Sequence, residues 1–124
     1  MERVCIDTDV SIELIRGNVA LRAPIEKRLE GTPFLAAISV FELLRATKNL
    51  QPVENFILEA DILYFDEVAA RKASSIEKEL RKKGKLTAMR DLFIAATAMS
   101  NNCELATLNR KDFEKIDGLK LLDF

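Results

Sequence analysis

The sequence predicts an α/β domain in which helices cover both faces of a central parallel sheet, and three observations carry that expectation. Short apolar runs at 3–7, 34–38, 61–66, 104–108 and 119–124 are separated by longer stretches with helical spacing. That alternation favours parallel strands joined by helical crossovers. Only four Gly and three Pro punctuate 124 residues, too few for the tight turns of an all-β chain. Apolar residues make up 48% and charged residues 31%, which fills a core and lies far from the composition of disordered chains. No linker, repeat or low-complexity tract interrupts the text, so a single domain over residues 1–124 is expected.

The elements follow in order. RVCID (3–7) is an apolar run ending in an acid and reads as the first strand. DVSIELIR (9–16) places Val10, Ile12, Leu14 and Ile15 at helical spacing, and Gly17 stops it. A helix around 20–30 is closed by Gly31. FLAAI (34–38) reads as the second strand, with Ser39 capping a helix that carries Val40, Leu43, Leu44 and Thr47 on one face. Pro52 opens another helix, whose stripe is Val53, Phe56, Ile57 and Ala60. DILYFD (61–66) is the third strand, and residues 67–83 form a charged amphipathic helix that Gly84 stops. DLFIAATAMS (91–100) is apolar almost all round and reads as a buried helix. ELATL (104–108) is the fourth strand, KDFEKI (111–116) a helical turn and LKLLDF (119–124) a final strand.

Histidine is absent. That excludes Ser-His-Asp and Cys-His triads, HExxH zinc sites and any histidine acid or base. The scattered glycines form neither GxGxxG nor a Walker A loop. No run approaches the roughly 20 apolar residues of a membrane span, and the first ten residues lack a signal-peptide core, so a cytoplasmic protein with no membrane partner is expected. Cys5 and Cys103 lack metal spacing and read as small buried apolar residues.

The acids are placed in a pattern. In an open parallel sheet, sites form beyond the carboxyl ends of the strands. Asp7 ends the first strand, and Glu42 falls in the first turn of the helix after the second. Asp91 opens the Ala-rich helix, and Asn109 and Asp112 follow the fourth strand. Taken singly, Asp7 and Asp91 serve as helix caps, but Glu42 interrupts the apolar text ISVFELL where a core helix prefers a hydrophobe. Carboxylates gathered at one edge repel one another unless a cation joins them. An all-oxygen donor set without His or Cys suits Mg²⁺ or Mn²⁺, the cations of phosphodiester-cleaving nucleases.

CIDTDVSIELIRG (5–17) resembles the opening of a PIN-domain nuclease, and ISVFELLRA (38–46) resembles that family's second acidic motif. Residues 90–124 are similar to its C-terminal stretch almost throughout, including Asp-x-x-Ile-Ala-Ala and Thr-x-Asn-x-x-Asp-Phe. The resemblance spans residues 3–124, and its wording is nearest to VapC-like toxins of type II toxin–antitoxin pairs. It implies a PIN-like three-layer α/β/α fold and a Mg²⁺- or Mn²⁺-dependent endoribonuclease that hydrolyses RNA phosphodiester bonds. A homodimer and a small cognate antitoxin are implied as well.

Residue by residue, Asp7, Glu42 and Asp91 match the three central acids and are the expected metal ligands. Asp112, in the common Asp-Phe pair, is expected to join them as a catalytic residue. Many relatives carry Asp where this chain has Asn109, which is left a fourth-position or water contact. Ser11 and Arg90 depart from the common wording at positions expected to touch no metal ligand.

The net charge of −1 hides an asymmetry. Residues 71–90 hold eight basic and two acidic side chains, a net of +6, whereas the remainder holds eleven and eighteen, a net of −7. A polyanion approaching a carboxylate site needs a nearby positive surface, so Lys82, Lys83, Lys85 and Arg90 are the expected RNA contacts. The plainer alternative is a solvated helix face. Two other functions compete. DTDVS also resembles the Asp-x-Asp opening of haloacid-dehalogenase-like phosphatases, with Asp7 as nucleophile and Asp9 as acid–base partner. A catalytically inactive PIN-like binding module is the non-enzymatic alternative, though such a module is expected to have lost one of the three central acids.

Overall fold

A computed structural model describes residues 3–124. Four strands, β1 (Arg3–Ile6), β2 (Phe34–Ala36), β3 (Asp61–Leu63) and β4 (Cys103–Ala106), form one sheet in the order β3-β2-β1-β4. Every pairing is parallel. Helices α1 (Thr8–Ile15), α2 (Val19–Arg28), α3 (Ala37–Ala46) and α4 (Leu50–Leu58) precede β3 or flank it in sequence, followed by α5 (Glu67–Lys82), α6 (Met89–Ser100) and the short α7 (Arg110–Phe113).

Alternation along each strand builds two cores. Val4 and Ile6 of β1 and Leu35 of β2 pack with Val10, Leu14, Ile25, Leu43 and Val53 from α1–α4. Cys5 and Ala36 point the other way, into a core with Ile76 and Leu80 of α5, the Ala-rich face of α6 and Phe113 of α7. The result is the three-layer α/β/α architecture that the apolar runs imply. Both cysteines are free and buried, and burial raises their thiol pKa values. No helix among the described residues is long and apolar enough to cross a membrane.

Four local expectations are corrected. Ser39 does not cap α3: the chain passes from β2 into the helix at Ala36 with no intervening loop. The Ser39 hydroxyl is buried without a hydrogen-bond partner, and Glu42 falls in the second turn of α3 instead of the first. Residues 119–124 form no full strand. A single parallel bridge joins Leu121 to Leu105, supported by Leu105 N–H to Lys120 O at 2.8 Å and Leu122 N–H to Leu105 O at 2.8 Å. Lys120 and Asp123 on either side are exposed, so only Leu122 is drawn fully into the core. The third strand stops at Leu63, short of the expected end at residue 66, and Tyr64 beyond it is exposed.

The sheet order also places the site. The chain moves outward from β1 to β2 and β3, then returns across the sheet so that β4 lies on the other side of β1. That reversal falls between β1 and β4, and ligands bind beyond the carboxyl ends of the strands at such a point in open parallel sheets. Asp7 and Thr107 are the first residues past those two ends.

Candidate functional site

Asp7 caps α1: its Oδ1 accepts from the Thr8 N–H at 2.8 Å, and it is 1% exposed. Its Oδ2 accepts from the Thr107 hydroxyl at 2.8 Å, a bond that ties the end of β1 to the end of β4. Glu42 reaches the same place from α3 and accepts from the Thr8 hydroxyl at 2.6 Å. Asp91, the third residue of α6, completes the group. Three acids from distant segments therefore meet around one point.

A cation of the chain itself lies at that point. The Arg90 guanidinium donates from Nη2 to Asp7 Oδ1 at 2.7 Å, from Nη1 to Asp91 Oδ1 at 2.8 Å, and from Nε to Glu42 Oε2 at 2.9 Å. Nη2 also reaches Glu42 Oε1 at 2.9 Å and the Thr8 hydroxyl at 3.2 Å. Charge-assisted bonds in this fork geometry are among the strongest side-chain contacts. Burial alone makes the charged guanidinium harder to hold, but the bonds to Glu42 and the charge of Asp7 outweigh it and hold Arg90 above its ordinary pKa. Burial likewise works to raise Glu42, yet the bonds from Arg90 and Thr8 prevail and hold it below the usual carboxylate range. Asp9 shifts the opposite way, raised by burial and by the neighbouring Asp7 charge.

Arg90 therefore contacts all three acids, a role the sequence does not announce. Counting along the sequence assigns Arg90 to the basic run, but it belongs to the first turn of α6, where its side chain turns into the acids. The Ser11 hydroxyl bonds the Asp7 carbonyl at 2.9 Å, not its carboxylate. Thr8 and Thr107 were not singled out from the sequence as site residues. Their signal is the threonine directly after Asp7 and the one two positions before Asn109.

Among the described residues, the Asn109 and Asp112 side chains make no hydrogen bond or ion pair to this cluster. Both are exposed. Asn109 precedes α7 without a side-chain cap bond, and its N–H donates to the Thr107 hydroxyl at 3.0 Å. Asp9 links to the same loop by accepting from the Leu108 N–H at 3.2 Å.

Lys82, Lys83 and Lys85 are exposed around the end of α5. Lys82 pairs with Glu79 at 3.4 Å and Lys83 with Asp117. A cleft of about 500 Å³ lies elsewhere, lined by Arg22, Ile25, Phe56 and Asp61, and contains none of the three acids.

The donor set suits a hard divalent cation in kind: carboxylates and hydroxyls, with no nitrogen or sulfur ligand among them. Among the described residues, no three acid or thiol side chains are placed to hold one ion as they stand. The guanidinium occupies the space between them, as a cation would, and marks the point on which their charges are focused.

Known proteins share this sequence pattern and this fold. Residues 4–119 match the PIN domain family. The chain is 26% identical over 131 residues to the tRNA(fMet)-specific endonuclease VapC of Shigella flexneri, covering 100% of this chain and 99% of that protein. It is 32% identical over 128 residues to Ribonuclease VapC1 of Methanocaldococcus jannaschii, covering 98% and 88%. Among solved structures, DNA-bound VapBC from Salmonella typhimurium superposes with a TM-score of 0.80 at 28% identity, over 99% of this chain and 98% of that one.

Proposed function

The chain belongs to the PIN-domain family, and on that premise we propose that it is a Mg²⁺- or Mn²⁺-dependent endoribonuclease, the toxin of a toxin–antitoxin pair. The observation that carries the reading is the convergence of Asp7, Glu42 and Asp91 on one point beyond the carboxyl ends of the strands. Its relatives named VapC are ribonucleases or endonucleases, which supports RNA as the substrate class.

Asp7, Glu42 and Asp91 would hold the cation; when bound, it supplies Lewis-acid polarisation of a phosphoryl oxygen and lowers the pKa of water. The protein's own part is orientation. The Thr107 hydroxyl and the Thr8 N–H fix the two Asp7 oxygens, so the carboxylate reaches the site in one rotamer. The Thr8 hydroxyl does the same for Glu42 Oε1. Incubation with labelled single-stranded RNA tests the reading: internal fragments are expected. A trapped phospho-aspartate at Asp7 with intact RNA would return the chain to the phosphatase alternative.

The exposed lysines past α5 would steer RNA toward the acids, which alone repel it. Replacing Lys82, Lys83 and Lys85 with Gln should weaken RNA binding and flatten its salt dependence by about 0.7 in slope for each lost phosphate contact. An unchanged slope would make these residues a solvated helix end. Lys83 should contribute least, because Asp117 already engages it.

Partners follow the same premise. A cognate antitoxin is supported by similar structures that are toxin–antitoxin complexes, such as the DNA-bound VapBC. Association of two copies is supported by apolar side chains left on the surface, Phe41 of α3, Tyr64 after β3 and Val68 of α5, each more than half exposed. Light scattering near 28 kDa, twice the 14.0 kDa chain, is expected. A monomer across a wide concentration range would contradict it.

A further inference from the structure

We propose that Arg90 is a built-in counter-cation of the carboxylate site, and that a divalent cation binds only by displacing its guanidinium. The inference rests on the metal reading above and adds a competitor to it.

Asp7 offers the cluster one oxygen. Its Oδ2 is turned away to Thr107, so Oδ1 alone faces the other acids, and that oxygen is held by Arg90 Nη2 at 2.7 Å. The facing oxygen of Asp91 is held by Nη1 at 2.8 Å, and both Glu42 oxygens lie within 3.1 Å of Nε. An ion held by these carboxylates would draw on the oxygens that the guanidinium now occupies. Guanidinium and ion are therefore alternatives.

Formal charge gives the exchange its direction. Three carboxylates against one guanidinium leave −2, and a divalent ion brings one more positive charge in a smaller volume. Geometry gives it a route. The Arg90 side chain is 32% exposed while that of Asp7 is 1% exposed, so the guanidinium sits on the solvent side of the deepest acid and can swing outward. Without an ion, the same bonds relieve the repulsion that three gathered acids impose on the fold. Displaced, the charge would lie beside Asp91 at the mouth of the site, facing an incoming phosphate.

Mn²⁺ titration by calorimetry of the full-length wild type and Arg90→Gln tests this. The variant should bind Mn²⁺ at least about tenfold more tightly, because no occupied state competes with the ion. It should melt earlier than wild type without metal and recover more on adding Mn²⁺. Equal or weaker Mn²⁺ binding by the variant, with the wild type binding normally, would overturn the proposal and leave the metal site standing. Failure of both proteins to bind Mn²⁺ would overturn the metal reading, and the proposal with it. If Arg90→Gln does not fold, the wild type decides alone. Its Arg90 Nε–H resonance should be protected from solvent exchange without metal and lose that protection as Mg²⁺ saturates the site. A resonance unmoved at saturation would sink the displacement.

Discussion

Asp7→Asn should lower RNA cleavage by at least about a thousandfold, equivalent to about 4 kcal/mol of lost transition-state stabilisation. The amide removes a negative charge and an anionic ligand at the one position where β1, β4 and the acid cluster are joined. Asp91→Asn should be comparably severe, since it contributes the facing carboxylate. Relief of carboxylate repulsion does not make this variant the more stable one without metal. Asp7 is already neutralised by Arg90, so the amide gives up a charge-assisted bond to the guanidinium and leaves that cation less well paired. A loss of about 1–3 kcal/mol is expected from chemical denaturation. Cleavage within threefold of wild type would remove Asp7 from the reaction.

Phe113→Ala should produce the largest loss of stability, about 3–5 kcal/mol, read as a fall in melting temperature on the order of 10–20 °C. Phe113 is fully buried in the core shared with α6, although α7 is only four residues long. It anchors the turn that follows Asn109, whose N–H holds the Thr107 hydroxyl against which Asp7 is oriented. The variant should therefore also lose activity at temperatures where it remains folded. Phe41→Ala is the contrast: at 59% exposure it should shift stability by less than about 0.5 kcal/mol. Equal effects of the two changes would contradict the assignment of the core.

The layers were legible because buried parallel strands carry apolar side chains on both faces, as Val4, Cys5 and Ile6 do on β1. Helix ends were legible where a glycine adopts positive φ: Gly17 at 83° after α1 and Gly84 at 67° after α5. Ser39 misled because its preference for a cap is local, whereas the start of α3 is set by how β2 meets the core. LKLLDF misled for a similar reason: an apolar run says that a segment is buried, not how many backbone bonds it makes.

The three acids were visible because each ends or interrupts an apolar run. Arg90 was counted with the basic arm, because its inward turn depends on partners 83 and 48 positions away that no local pattern reveals. The hydroxyls of Thr8 and Thr107 are of the same kind: their roles exist only once β1, α3 and β4 are side by side.

Whether a cation among Asp7, Glu42 and Asp91 drives hydrolysis is decided by following cleavage of a labelled single-stranded RNA against Mg²⁺ concentration, with wild-type protein stripped of metal by EDTA. The rate should fall to background in the chelator, return on adding excess Mg²⁺ or Mn²⁺, and stay at background for Asp7→Asn at every concentration. Full cleavage in excess EDTA would contradict that role for the cation.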